Sequence, residues 1–157
     1  MGSESYIYSK AQGFVAERWN IEILRVGGIS VDRNIVDSAS VENKSMWKRL
    51  DGNLKLDSKK TFEEEVGVEI RKIVKAEKAL NSNKLVKRSR RKIENRKVRT
   101  FTELESKRDE WTYVYSIYSD LKDIHTDNPR KKEFDFIINV KNGTAVLEKP
   151  DANNAYN

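Results

Sequence analysis

The sequence predicts an α+β fold in which an antiparallel sheet of four to six strands, built mostly from the C-terminal half, packs against two or three helices. Two observations lead to this prediction. Apolar residues recur with helical spacing through most of residues 61–97, whereas from Val98 onward they alternate with the two-residue period of a strand. Asn142-Gly143 then separates two β-rich segments, which is typical of a tight hairpin.

The composition indicates one folded domain over residues 1–150, followed by a mobile tail at 151–157. The 157 residues suffice to bury a core, and three Trp, six Tyr and five Phe exceed what a disordered chain usually carries. No apolar run approaches the roughly 20 residues that span a bilayer, and no signal-peptide pattern opens the sequence. We expect an intracellular protein, in the cytoplasm, the nucleus or an assembled particle, that is not secreted and does not enter a membrane.

Helical periodicity predicts one helix over residues 5–19 and another over residues 61–80. In both segments apolar residues recur at the i, i+4 and i+7 positions that form one face of a helix. Thr61 and Glu64 have the spacing of a capping box, and acidic residues precede basic ones along the segment. The second helix is therefore predicted to start at Thr61.

The rest of the chain favours strands and loops. Residues 21–26 and 29–36 are rich in β-branched side chains and flank Gly27-Gly28, which suits a hairpin turn. Residues 37–60 are polar and irregular, and we expect Trp47 to anchor them as a partly buried side chain. Further strands are predicted over residues 98–104, 110–118, 134–141 and 144–149.

Positive charge is concentrated in residues 84–99, KLVKRSRRKIENRKVR. Nine of these sixteen residues are Lys or Arg and only Glu94 is acidic, so the stretch carries about +8. The whole chain carries +6, so the remainder is slightly acidic and the basicity is local. A local excess of positive charge indicates a surface that meets a polyanion.

We expect this stretch to form its own helix over residues 83–97. The Asn-Ser-Asn tripeptide at 81–83 suits the end of one helix and the cap of the next. A helical projection then places Val86, Ser89 and Ile93 on a narrow seam towards the core and most of the basic residues on the opposite arc.

This arrangement predicts a non-enzymatic protein that binds the phosphates of DNA or RNA. Like charges on one helix repel one another unless a polyanion neutralises them, and phosphate binding gains affinity from the release of counterions. The predicted phosphate contacts are Lys84, Lys87, Arg88, Arg91, Lys92, Arg96 and Arg99.

Aromatic residues of the predicted strand at 110–118 form a second candidate contact. Trp111, Tyr113 and Tyr115 share one face and could stack on bases, as exposed aromatic residues do on sheets that bind single strands. The alternative is that this face packs against the helices as core. The two interpretations differ in whether the rings are exposed.

The basic stretch has other interpretations. It is compatible with a solvated helix face, with a nuclear localisation signal and with a surface that docks on an acidic protein. Docking on an acidic protein would suit a structural or assembly subunit, for example of a virus particle. A homo-oligomer is one form that such an assembly could take. A membrane surface fits poorly, because the seam has only two large apolar residues.

The residue inventory excludes several enzyme chemistries. There is no Cys, which rules out thiolate nucleophiles, disulfides and Cys-ligated metals. The single histidine, His125, cannot supply a two-His metal site and lies in a polar segment. We therefore predict no catalytic residue, no metal site and no cofactor.

A Mg²⁺-dependent nuclease is the remaining catalytic alternative. Glu17 on a helix, Asp135 on a strand and Glu148-Lys149 on its hairpin partner resemble the arrangement of the PD-(D/E)xK nuclease superfamily. The resemblance covers isolated residues and departs from the Glu-x-Lys spacing that puts carboxylate and ammonium on one face of a strand. The Glu-Ser-Lys segment at 105–107 has that spacing, but no Asp lies in the preceding strand.

Overall fold

The computed structural model of the protein describes residues 4–23, 33–54, 57–96, 98–120 and 130–148. Within these ranges the chain forms four helices, one more than the upper number expected, and then four strands. They are α1 (Glu4–Arg18), α2 (Arg33–Leu54), α3 (Ser58–Ser82), α4 (Lys84–Glu94), β1 (Thr100–Lys107), β2 (Thr112–Asp120), β3 (Arg130–Asn139) and β4 (Thr144–Glu148). The strands form one antiparallel sheet in the order β1-β2-β3-β4, which confirms the predicted α+β class and sheet.

The chain divides into two compact units, residues 2–70 and residues 71–157, with the boundary inside α3. The first unit contains α1, α2 and the first half of α3, and the second contains the rest of α3, α4 and the sheet. The single domain expected over residues 1–150 stays a prediction, and the tail at 151–157 lies outside the described residues, as does His125. In the part of the chain that the structure describes, no helix is long and apolar enough to cross a membrane.

Helix α1 buries the face that its sequence period predicts. Ile7, Ala11 and Val15 are all buried. The helix ends in a Schellman motif, in which Asn20 has a φ of 52° and the next amide donates to the Ala16 carbonyl at 2.9 Å. Asn tolerates this left-handed conformation better than most residues with a side chain, so it suits the end of the helix.

An aromatic cluster around Phe62 holds the first unit together. Phe62 is buried, and the Trp19 ring meets it edge-on with the ring centroids 5.6 Å apart. The Trp47 ring lies 5.5 Å from Phe62 and is half-buried, which confirms its predicted role as an anchor. Arg18 adds an ion pair with the buried Glu69 at 3.6 Å.

Helix α2 occupies most of a region that was expected to be strand and irregular connection, and that prediction is wrong. Ile35 is β-branched and favours a strand locally, but it shares a helical stripe with Met46 and Leu50. The spacing over the whole segment outweighs the local propensity. Residues 24–32, with the expected Gly27-Gly28 turn, lie outside the described residues, and residues 21–23 are not in a strand.

Helix α3 begins one turn earlier than predicted, at Ser58 rather than Thr61. Asp57 caps it, because its Oδ1 accepts the amide proton of Lys60 at 3.0 Å. Thr61 already lies inside the helix, where its hydroxyl donates to the Asp57 carbonyl at 2.9 Å. The predicted capping box of Thr61 with Glu64 is therefore wrong, since a better N-cap residue stands one turn upstream.

The break after α3 and the helix that follows agree with the prediction. Asn83 is the N-cap of α4, and its Oδ1 accepts the amides of Leu85 at 2.8 Å and Val86 at 3.3 Å. Val86, Ser89 and Ile93 are the buried residues of the helix, so the predicted seam is confirmed, although α4 ends three residues earlier than expected. Because the seam is narrow, most of the α4 surface stays exposed.

One face of the sheet forms the core of the second unit. Tyr113, Ile117 and Phe136 lie on this face and are each 0% exposed. Thr102 pairs in register with Ile117, and Arg90 of α4 donates to the Thr102 hydroxyl at 3.0 Å. The hydrogen bond shows that α4 lies on this side of the sheet, next to β1.

The β3-β4 hairpin confirms the turn predicted from Asn142-Gly143. Gly143 has a φ of 71°, in the left-handed region that glycine adopts without steric cost. Asn139 Oδ1 accepts the amides of Lys141 at 3.0 Å and Asn142 at 3.3 Å, and the Thr144 hydroxyl donates to Asn142 Oδ1 at 2.7 Å. These side-chain bonds fix the turn and with it the register of β4.

Candidate nucleic-acid interface

Five basic residues of α4 share one exposed arc. Lys84, Lys87, Arg88, Arg91 and Lys92 are all exposed, and we call them the basic arc. At about 100° per residue they span an arc of about 140°, centred opposite the buried seam. The helix therefore turns its apolar edge to the core and its cations to solvent.

No cation of the basic arc forms an ion pair with an acidic side chain of the described residues. Several other basic residues of the same unit are paired, as Lys72 is with Glu110 at 3.1 Å and Arg130 with Glu103 at 2.9 Å. The arc thus presents a group of positive charges without acidic partners in the described ranges, whereas several charges around the sheet are neutralised locally.

Arg90 has a structural role rather than a place on the arc. Its guanidinium donates to Asn81 Oδ1 and to the Thr102 hydroxyl, both at 3.0 Å. Burial lowers the pKa of this guanidinium, and nearby Glu94 opposes the shift. Because Arg stays protonated in proteins, the two hydrogen bonds are charge-assisted. Arg90 fastens α4 to the end of α3 and to β1.

Arg96, a predicted phosphate contact, is tied to the sheet. It pairs with Glu133 at 3.1 Å, and the Ser119 hydroxyl donates to the same carboxylate at 2.7 Å. Burial by itself raises the pKa of the Glu133 carboxyl, but the bonds from Ser119 and Arg96 outweigh burial and hold the pKa below its ordinary value. Arg96 therefore connects the end of α4 to β3 and is less available to a phosphate than the arc.

Protonation of Glu133 is expected to loosen this connection. Because the folded-state pKa is lowered, the carboxylate contributes fully to stability above its ordinary pKa of 4.5, and the contribution is lost as the pH falls through the lower folded-state value. Glu133→Gln should be less stable than the wild type near neutral pH, and the difference should shrink at about pH 3. Urea unfolding at both pH values measures this, with the exposed Glu64→Gln as control. A difference that is independent of pH would contradict the role.

Strand pairing places two exposed cations beside the Arg96 connection. Arg99 precedes β1, and Lys131 pairs in register with Ser119. Lys131 also contributes to the lowered pKa of Glu133, so it lies close to that carboxylate. Arg99 was predicted, whereas Lys131 was missed, because only the pairing of β2 with β3 brings it to the end of α4.

The aromatic residues considered as base contacts are not open to a partner. Tyr113 and Tyr115 are 0% and 2% exposed on the core face of the sheet. Trp111 is half-buried, and the Lys72 ammonium lies over its ring at 4.1 Å from the centroid. Burial favours the interpretation of this face as core, so we leave the three rings out of the candidate interface.

Two of the carboxylates considered for a nuclease, Asp135 and Glu148, have partners of their own. Asp135 accepts a hydrogen bond from Ser116 and lies 3.1 Å from Lys132 Nζ. Glu148, its register partner on β4, pairs with Arg108 at 2.7 Å, and the lysine after it lies outside the described residues. Within the described ranges, no group of three or more His, Cys, Asp or Glu side chains could hold a metal ion.

A β-bulge separates the Glu and Lys of the Glu-Ser-Lys segment. The β1-β2 register shifts at Glu105, which is the extra residue. Glu105 accepts a hydrogen bond from the Tyr118 hydroxyl at 2.7 Å, whereas the Lys107 ammonium lies 5.4 Å from the Tyr113 ring centroid. Tyr118 and Tyr113 project from opposite faces of β2. In a regular strand this spacing would place the carboxylate and the ammonium on the same face. Because of the bulge, they lie on different faces here.

Similarity to other proteins assigns no function to this surface. Comparisons with protein-family models, curated proteins and solved structures find no match to the chain. What the basic arc can bind follows from its chemistry. Its five cations offer N–H donors at successive intervals of one or three residues, and the arc contains no carboxylate, imidazole or thiol for acid-base or nucleophilic catalysis. Its chemistry suits contacts with anions.

Proposed function

We propose that the protein binds nucleic acid without catalysis, and that the basic arc of α4 contacts the phosphates. The observation that carries the proposal is that every residue of the arc is exposed and none has an acidic partner among the described residues. Each contact would be a charge-assisted hydrogen bond from Lys or Arg to a phosphate oxygen. Such contacts fix position and affinity but carry no sequence information, so we expect little sequence preference.

Repulsion between the like charges of the basic arc destabilises α4. Like charges at i, i+3 and i+4 each destabilise a helix by about 0.2–0.5 kcal/mol. With 11 residues, α4 is also shorter than the helices that persist alone in water. The Asn83 cap and the buried seam hold it in place. A phosphate backbone would relieve the repulsion while making its own contacts, which favours a polyanion as partner.

An acidic protein surface is the competing partner, as a structural or assembly subunit would use. Carboxylates can also neutralise the arc, but a folded protein has no dense layer of condensed counterions to release. Binding to nucleic acid should therefore weaken much more steeply with salt than binding to a protein. The slope of binding affinity against salt concentration therefore distinguishes a nucleic acid from an acidic protein as the partner.

A salt titration with a fluorescent nucleic acid tests the proposal. Five phosphate contacts give a plot of log K against log salt with a slope of about −4.5 or steeper, so affinity falls roughly 500-fold or more between about 50 and 200 mM NaCl. Fluorescence anisotropy with a duplex of about 20 base pairs measures the slope. No binding at the lowest salt would overturn the proposal. Mass that grows with protein concentration in light scattering, without nucleic-acid binding, would support the assembly alternative instead.

A further inference from the structure

A second basic row lies on the last turns of α3. Arg71, Lys75 and Lys78 follow one another at i, i+4 and i+7, are all exposed, and form what we call the α3 row. On the opposite side of these turns Ile73 and Leu80 are buried, at 0% and 2% exposure. No acidic residue of the described ranges pairs with any member of the row. Like the basic arc, the α3 row is therefore exposed, cationic and without an acidic partner in the described ranges.

The α3 row and the basic arc belong to the same unit and to consecutive helices. Only Asn83 separates α3 from α4, and Arg90 joins α4 to Asn81 at the end of α3 at 3.0 Å. Across residues 71–96, all of which the structure describes, nine exposed side chains are basic and only Glu94 is both exposed and acidic. The charged side chains exposed on these two stretches of helix are therefore almost all cationic.

This surface has no aromatic ring that can stack on a base. Residues 71–96 contain no Trp, Tyr, Phe or His. Proteins that hold single strands combine positive charge with exposed aromatic rings, and each stacked base contributes about 1–3 kcal/mol. Without such rings the surface loses most of the stacking energy that an open strand offers, and phosphate contacts dominate.

We infer that the partner is a nucleic-acid duplex, held through its phosphates by the basic arc and the α3 row together. A duplex keeps its bases inside and carries one negative charge per about 1.7 Å of axis, twice the density of one strand. The eight cations of the two sets suit this outer charge, and residues 71–96 contain no aromatic ring of the kind that favours an open strand. The inference rests on the proposed function and names the class of its ligand.

A comparison of two ligands with about 40 phosphates each, a 20-base-pair duplex and an oligo-dT strand, tests the choice of partner. At the same salt the duplex is expected to bind about tenfold more tightly or better, with a slope of about −7 for eight phosphate contacts. A single strand that binds as tightly as the duplex would overturn the inference and leave the proposed function standing. Binding of neither ligand at low salt would defeat the proposed function itself.

A variant of the α3 row tests its part in binding. Arg71→Gln, Lys75→Gln and Lys78→Gln together should reduce the slope on the duplex from about −7 to about −4.5, because three contacts are lost. Gln is a good helix former, so α3 should persist. The matched control is Lys44→Gln, Lys48→Gln and Arg49→Gln on α2, which removes the same exposed charges and should leave the slope at its wild-type value. An unchanged slope for the α3 variant would overturn the role of the row.

Discussion

Replacement of Arg88, Arg91 and Lys92 by glutamate is expected to abolish nucleic-acid binding. The three residues lie on the basic arc and pair with no acidic side chain of the described ranges, so the substitutions break no ion pair found there. If each lost contact lowers affinity about tenfold, the three together lower it about 1000-fold. The new carboxylates also repel phosphate, so the loss should exceed that figure.

The effect is measured by anisotropy titration of the duplex at low salt. The control variant carries Lys44→Glu, Lys48→Glu and Arg49→Glu on α2, which reverses the same number of exposed charges away from α4. If net charge alone drew the protein to nucleic acid, the two variants would lose affinity equally. Binding by the arc variant at wild-type strength would defeat the proposed function.

The fold of this variant should remain intact, because none of its substitutions touches the seam or the cap. Arg90 is left unchanged, since its hydrogen bonds to Asn81 and Thr102 hold the helix in place. Glutamate in the last turn of a helix is mildly unfavourable to the helix dipole. A glutamine version of the three substitutions avoids that effect, and far-UV circular dichroism compares all variants with the wild type.

The structure of α4 was predictable because its signals are local. The Asn83 cap and the spacing of Val86, Ser89 and Ile93 all lie within eleven residues, and the helical period alone sorts the buried residues from the exposed ones. Ser89 joins the seam despite its hydroxyl, since position rather than polarity decides its direction. The placement of the arc opposite the seam follows from the same geometry.

Helix α2 and the aromatic strand were less predictable because each pattern fits two structures. Ile35 favours a strand locally, and its exposed side chain makes the tertiary context of the helix hard to infer. The two-residue spacing of Tyr113 and Tyr115 fits a core face and an open face equally well. Which of the two it is depends on whether other parts of the chain cover the face. Sequence spacing gives the direction of a side chain but not what lies opposite it.

The bulge in β1 and the register of β2 with β3 could not be predicted from the sequence. The bulge at Glu105 changes which face Lys107 occupies, and no residue type in that segment indicates a bulge. Lys131 reaches the neighbourhood of Arg96 only through the register of β2 with β3. Register is set by contacts between distant segments, so the sequence of one segment alone does not determine it.

Replacement of Ile93 by alanine is expected to give a large loss of stability, about 2–5 kcal/mol, because it opens a cavity under α4. Ile93 and Val86 are both 0% exposed and are the two large apolar side chains that α4 buries. The substitution removes one of these two anchors, while the repulsion between the cations of the arc stays in place. We expect weaker duplex binding as well, although Ile93 is buried and can contact no phosphate.

Leu85→Ala is the matched control, since it truncates an apolar residue of the same helix that is 45% exposed, and it should change the free energy of unfolding by less than about 1 kcal/mol. Urea unfolding compares the two variants. Added salt should recover part of the stability of Ile93→Ala, because it screens the repulsion within the arc. A saturating duplex should also stabilise the variant, because it binds the folded state and not the unfolded one. If Leu85→Ala and Ile93→Ala were equally destabilised, the seam would not be what holds the arc in place.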